Sequence, residues 1–169
     1  AGRGDLVRPL RAAGFNVFTA DVDPALDVDL YGDATDPATW AHMPPCEWVV
    51  SNLPFNVAIR ILPHAVQHAS RGVAVILRLS FLEPVEARRE WLARHPLTGM
   101  VVLPRYSFTG DGKTDSCTTA WMLFERRRRP SVFVPMPDAD KMPGAVRGRR
   151  RAPRGVARAS LPLFAEVPR

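Results

Sequence analysis

Residues 99–125 read GMVVLPRYSFTGDGKTDSCTTAWMLFE. Two apolar, β-prone runs, GMVVLPRYSF and CTTAWMLFE, flank the polar loop TGDGKTDS, and no helical segment separates them. Strands joined without a crossover helix pair antiparallel. Upstream the pattern differs, because strand-like and helix-like segments alternate. DLVRPLRAA (5–13) reads as a short helix, with Asp5 at its start, Leu6 and Leu10 on one face and Gly14 at its end. FNVFTAD (15–21) alternates like a strand, and DPATWAHM (36–43) opens with an Asp-Pro helix start. CEWVV (46–50) reads as a buried strand, and VAIRILPHAVQHAS (57–70) as a helix that Pro63 is expected to kink. GVAVILRLSFL (72–82) is a second, longer buried strand, and EPVEARREWLARH (83–95) suits an exposed helix. Alternation of this kind predicts an α/β fold, a mostly parallel sheet with helices on its faces. Residues 99–125 then close it with a terminal antiparallel hairpin.

With 169 residues, 46% hydrophobic and 24% charged, the chain has the composition of one globular domain with a real core. No run of about 18 apolar residues is present, so no membrane span is expected, and AGRGDLVRPL lacks the apolar core of a signal peptide. Cys46 and Cys117 lie far apart without metal-site spacing, which predicts free thiols and a cytoplasmic location. The net charge of +6 is unevenly divided. Residues 1–125 hold 11 Lys/Arg against 14 Asp/Glu, whereas residues 126–169 hold 12 against 3. The division predicts a folded body over 1–125 and a basic, Arg/Pro-rich tail over 126–169 whose composition argues against a packed core. Phosphate binding and a merely solvated tail are both open readings of it.

In open α/β sheets ligands bind at the carboxyl ends of the strands, and the chemically suggestive residues cluster at such places. In AGRGDL, Gly2 and Gly4 would let the backbone approach a ligand before a helix start. FTAD ends a strand in Asp21, a carboxylate suited to both hydroxyls of a ribose; a helix cap or turn acid is the alternative, and Asp23 is the neighbouring candidate. YGDATDP supplies Asp33, able to accept from an adenine amine, with the Ala34 N–H as donor to a ring nitrogen. Here the alternative is that Asp33 and Asp36 start the next helix, which Asp36-Pro37 fits better.

SNLPFN (51–56) ends the CEWVV strand in an amide, a proline and an aromatic ring. A turn would favour the same residues. Adenine chemistry is the other reading. An aryl amine is a poor nucleophile because its lone pair is delocalised into the ring. Two acceptors on its two N–H bonds draw that nitrogen toward tetrahedral geometry. The Asn52 side-chain carbonyl and the Leu53 backbone carbonyl would be those acceptors, Pro54 would stiffen the turn, and Phe55 would stack on the base, worth about 1–3 kcal/mol.

AGRGDL, TADVDP, GDATDP and SNLPF resemble, in order, motifs I to IV of the S-adenosylmethionine-dependent N6-adenine methyltransferases. RLSFLE (78–83) and PRYSFTGDGKTDSCTTAWMLFE (104–125) are similar to segments of small phage and prophage DNA adenine methyltransferases. The resemblance covers residues 1–125 and departs from the fourth motif, Asp/Asn/Ser-Pro-Pro-Tyr/Phe/Trp, at Leu53. Asn-Leu-Pro-Phe/Tyr-Asn is instead the form of the ribosomal RNA adenine dimethyltransferases, so RNA stands as the alternative substrate to DNA. The resemblance implies the class I methyltransferase, Rossmann-like fold, S-adenosylmethionine held by Gly2, Gly4, Asp21, Asp33 and Ala34, and transfer of its methyl group to N6 of adenine by Asn52, Leu53, Pro54 and Phe55. It further implies nucleic-acid contacts from Thr109, Lys113, Thr114 and Ser116, for which a polar hairpin loop is the plain alternative. In that fold the strand before AGRGDL lies mid-sheet, between the second and fourth strands. It is missing here, so the chain is expected to be truncated and to fold poorly or bind cofactor weakly alone. A non-catalytic remnant that binds nucleic acid through its tail is the reading of another class.

Other residues point elsewhere only weakly. His42, His64, His68 and His95 have no metal spacing with acids or cysteines; His64 and His68 lie one helical turn apart but lack a third ligand. Ser80 and Ser107 lack a His/Asp partnership. Trp48, Trp91 and Trp121 read as packing residues, and Trp40 as packing or as a neighbour of a cofactor adenine.

Overall fold

A computed structural model describes residues 2–83, 85–104, 117–126 and 132–134. The elements are α1 (Val7–Ala12), β1 (Ala20–Asp21), β2 (Leu30–Tyr31), α2 (Pro37–Ala41), β3 (Cys46–Asn52), α3 (Ala58–His68), β4 (Ala69–Arg78), a 3-10 turn (Leu79–Leu82), α4 (Glu86–Arg94), β5 (Gly99–Val102), β6 (Thr119–Glu125) and β7 (Val132–Val134). The molecule is α/β, with parallel and antiparallel strands mixed. β1 and β2 form a parallel pair of their own, and the second sheet has the order β3-β4-β6-β5-β7.

The larger sheet takes its register from β4. That strand pairs parallel with β3, Trp48 to Gly72 through Asn52 to Ile76, and antiparallel with β6, Gly72 to Glu125 through Arg78 to Thr119. β6 pairs antiparallel with β5, as expected for residues 99–125. β7 then adds to β5 in parallel, so three residues of the basic segment belong to the sheet. Among the described residues no strand pairs with β3 on its other side.

A core built by α3, β4 and β6 holds the sheet together. Leu62, Val73, Val75, Leu77 and Met122 are fully buried, and α3 contributes Ala58, Ile61, Leu62 and Ala65 to the same cluster. The spacing of those four places them on one helical face. Pro63 sits within α3, and the chain passes from His68 directly into β4 at Ala69.

Several expectations need correction. The strand expected over 15–21 is only Ala20–Asp21, because its ladder with β2 covers just two residue pairs, and Phe15 and Phe18 are exposed. The helix expected over 5–13 is shorter, Val7–Ala12 with Leu6 as N-cap, so Asp5 lies before it, its carboxylate paired with Arg8. Gly14 does terminate that helix, at φ +87°. β3 is half-buried, as befits an edge strand. β4 begins three residues earlier than expected and stops at Arg78, the following LSFL belonging to the 3-10 turn. Exposed α4 carries, among its described side chains, one buried residue, Trp91, which packs edge-on against Phe81 and Phe124. Among the described residues no helix is long and apolar enough to cross a membrane.

Candidate functional site

The glycine turn and the first strand end meet. Gly2 and Gly4 adopt φ +54° and +81°, a region that side chains other than glycine enter at a cost. That turn presents the Gly2 N–H to the Asp21 carboxylate, at 2.8 Å from Oδ2, while the Asp23 N–H reaches Oδ1 at 3.1 Å. Partial burial pushes the Asp21 pKa up, but the Gly2 N–H, the positive terminal amine and the Asp23 N–H act against it, and the carboxyl rests at about 2. Asp21 is therefore ionised at neutral pH and joined to the backbone that would approach a ligand. Its own carbonyl accepts from the Gly32 N–H at 2.9 Å, tying the end of β1 to the chain leaving β2.

Asp33 lies two residues beyond β2. Its Oδ1 accepts the Thr35 N–H at 2.8 Å, closing a local turn. Hydrogen bonds from Thr35, and then the Arg60 guanidinium, hold its carboxyl below the usual range against the effect of burial. The helix start belongs to Asp36, whose side chain accepts from the Ala38 N–H with Pro37 at the first helical position. Asp33 thus has no capping duty in α2. The Ala34 carbonyl accepts from the indole N–H of buried Trp40 at 2.9 Å, which fixes the loop from its core side. Trp40 also meets His64 and His68 of α3. The indole therefore packs and anchors, and both histidines are its neighbours.

Asn52 is the last residue of β3, with its side chain exposed. Leu53, the position that departs from the fourth motif, is 7% exposed and lies in the hydrophobic core. Its side chain anchors the turn from below while Asn52 faces solvent. Pro54 follows, and its carbonyl accepts the Val57 N–H at 3.1 Å, closing the turn that carries Phe55. Phe55 is half-buried against the core, and the Arg78 guanidinium carbon lies 4.7 Å from its ring centroid.

Gly2, Gly4 and Asp21 thus form one cluster, and Asp33 with Ala34 a second, joined to the first through the Gly32 bond. Asn52, Leu53, Pro54 and Phe55 form a third at the end of β3. A groove of about 300 Å³ beside the glycine turn is walled by Gly2, Gly4, Arg8, Arg11, Thr19 and Leu26 among others, and does not reach Asp33 or Asn52. Thr109, Lys113, Thr114 and Ser116 lie outside the described residues, as does most of the segment 126–169.

Three participants escaped the sequence reading. Asp29 accepts from both the N–H and the hydroxyl of Thr19, each at 2.7 Å, and latches β2 to the entry of β1. Arg60 of α3 reaches the Thr35 hydroxyl at 3.5 Å beside Asp33. Arg78 covers Phe55. Only Arg78 carried a signal, as the lone charge within the apolar run 72–82. No protein-family model matches the chain, and no curated protein matches it in sequence.

Proposed function

We propose that this chain is a class I methyltransferase domain that transfers a methyl group from S-adenosylmethionine to N6 of adenine in DNA. The observation that carries the reading is the position of Asn52: an exposed amide at the end of a parallel strand, on a turn whose next residue is anchored in the core. Strand order supports it as well. An antiparallel β6 between β4 and β5 is compatible with the hairpin end expected of a class I sheet.

The donor set fits the nucleoside part of the cofactor. An ionised strand-end carboxylate at Asp21 suits ribose hydroxyls, the positive-φ turn at Gly2 and Gly4 suits close backbone approach, and Asp33 with Ala34 suits the adenine edge. When bound, S-adenosylmethionine supplies an electrophilic methyl carbon on positively charged sulfur. The chain's residues act on the target base, which must first leave the duplex stack. Phe55 stacks on it. The Asn52 side-chain carbonyl and the Leu53 backbone carbonyl accept the two N6–H bonds and direct the lone pair outward. These contacts would hold N6 in line with the methyl carbon, whose bond to sulfur would be the one broken, and the surplus N6 proton would pass to solvent. Catalysis is positioning, with no general base required.

The test is transfer of labelled methyl from the cofactor to duplex DNA, single-stranded DNA and ribosomal RNA, with Asn52→Ala as control. Label in DNA adenine that is lost in Asn52→Ala upholds the reading. Label in RNA alone assigns the RNA substrate, and undiminished transfer by Asn52→Ala overturns the mechanism.

A further inference from the structure

We propose that Arg78 is a positioning residue for Phe55, holding the ring as a flat platform for the substrate base. This rests on the adenine reading above. The two residues differ in how firmly the fold holds them. Arg78 ends a ten-residue strand, paired to Thr119 of β6, and the next residue continues the ladder through the Leu79 N–H to the Thr118 carbonyl at 3.0 Å. Phe55 sits instead on a short turn closed by the single bond from Val57 to Pro54. A ring on such a turn keeps rotamer freedom unless something restrains it.

The core packs against part of the ring, and the Arg78 guanidinium adds a restraint over its face. The guanidinium carbon lies 4.7 Å from the Phe55 centroid, within the range in which a cation is drawn to the ring face. Register makes the pairing systematic, because Asn52 pairs with Ile76 and Arg78 lies two residues on, at the same end of the sheet. The strand that sits beside the amide acceptor thus also supplies the group that orients the stacking ring. Arginine suits the task better than lysine, since a delocalised planar cation covers a ring where an ammonium only points at it.

The experiment uses the full chain. Binding of a single-stranded oligonucleotide with one adenine is compared, by fluorescence anisotropy, with that of the same oligonucleotide abasic at that position. The ratio isolates the base from the phosphates. Arg78→Met is expected to lower the adenine preference roughly 5-fold and leave S-adenosylmethionine affinity unchanged, and Arg78→Lys to lower it roughly 2-fold. Adding Arg78→Met to Phe55→Ala is expected to change it less than about 2-fold, because the ring it acts through is gone.

Equal weakening of adenine and abasic oligonucleotides by Arg78→Met would make Arg78 a phosphate contact and overturn the inference. So would an undiminished effect in the Phe55→Ala background. If Arg78→Met does not fold, an adenine preference in Arg78→Lys equal to wild type overturns it equally. A wild-type chain that does not distinguish adenine from the abasic site overturns the adenine reading, and this inference with it; a preference that Arg78→Met leaves intact overturns this inference alone.

Discussion

The Gly2 N–H donates to Oδ2 of Asp21 across nineteen residues, at 2.8 Å. A glycine turn and a strand-end carboxylate, each unremarkable in isolation, are thereby parts of one structure. Asp21 has a structural duty beside any role toward a ligand. A pKa of about 2, below the ordinary 3.8, means that the folded state favours the ionised carboxylate. Its contribution to stability is complete above about pH 4 and fades as the pH falls toward 2. Asp21→Asn is expected to cost about 1 kcal/mol at pH 7, screening included, and to flatten the acid limb of stability against pH. Urea unfolding at a series of pH values measures both effects.

Asn52 and Leu53 separate chemistry from packing. Asn52 is exposed, so Asn52→Ala should leave the unfolding midpoint nearly unchanged while lowering methyl transfer by about 100-fold or more. Single-turnover kinetics beside thermal unfolding would check the pair of outcomes.

Leu53 should behave in the opposite way. Its side chain is buried and only its backbone carbonyl is assigned to the substrate, so Leu53→Ala is expected to cost about 2–3 kcal/mol. Transfer per folded molecule should fall far less than in Asn52→Ala. Activity normalised to the folded fraction, at a temperature well below the unfolding midpoint, makes the comparison.

The Thr19–Asp29 latch offers a test remote from the proposed chemistry. Thr19→Val keeps the shape of a side chain only 7% exposed but deletes a hydroxyl that donates to Asp29 and accepts the Asp29 N–H at 3.1 Å. A loss of about 1 kcal/mol is expected in denaturant unfolding. The β1–β2 end should also lose protection from hydrogen exchange sooner than β4 and β6.

Gly72 tests the central sheet. A Cβ there would lie 2.9 Å from both the Phe124 carbonyl and the Trp48 ring, and 3.1 Å from the Glu125 Cα. Two of those three neighbours are backbone of the paired strand β6, which cannot yield without disturbing its ladder. Gly72→Ala is therefore expected to destabilise by about 1–3 kcal/mol, measured by thermal unfolding.

Local signals carried much of the architecture. The Asp36-Pro37 start of α2, the glycine that ends α1 and the antiparallel pairing of residues 99–125 were legible because each depends on near neighbours or on the absence of a crossover helix. FNVFTAD shows the limit of such reasoning. Its alternation is strand-like throughout, yet a strand exists only where a ladder does, and β2 offers partners to Ala20 and Asp21 alone. The same applies to Asp5, expected at the start of the first helix, which instead lies before it and pairs with Arg8.

What the sequence by itself determined about this protein is the kind and order of most elements up to residue 125, though not β7, and the residue types at the strand ends, since both follow from local pattern. Tertiary structure alone decided the partners. The Gly2–Asp21 bond, the burial of Leu53 beneath an exposed Asn52 and the Arg78 plate over Phe55 join residues 19, 1 and 23 positions apart. Adjacent residues could not reveal even the second of these, because which side of a turn faces the core depends on what packs beneath it. For Leu53 that is the cluster built by α3, β4 and β6.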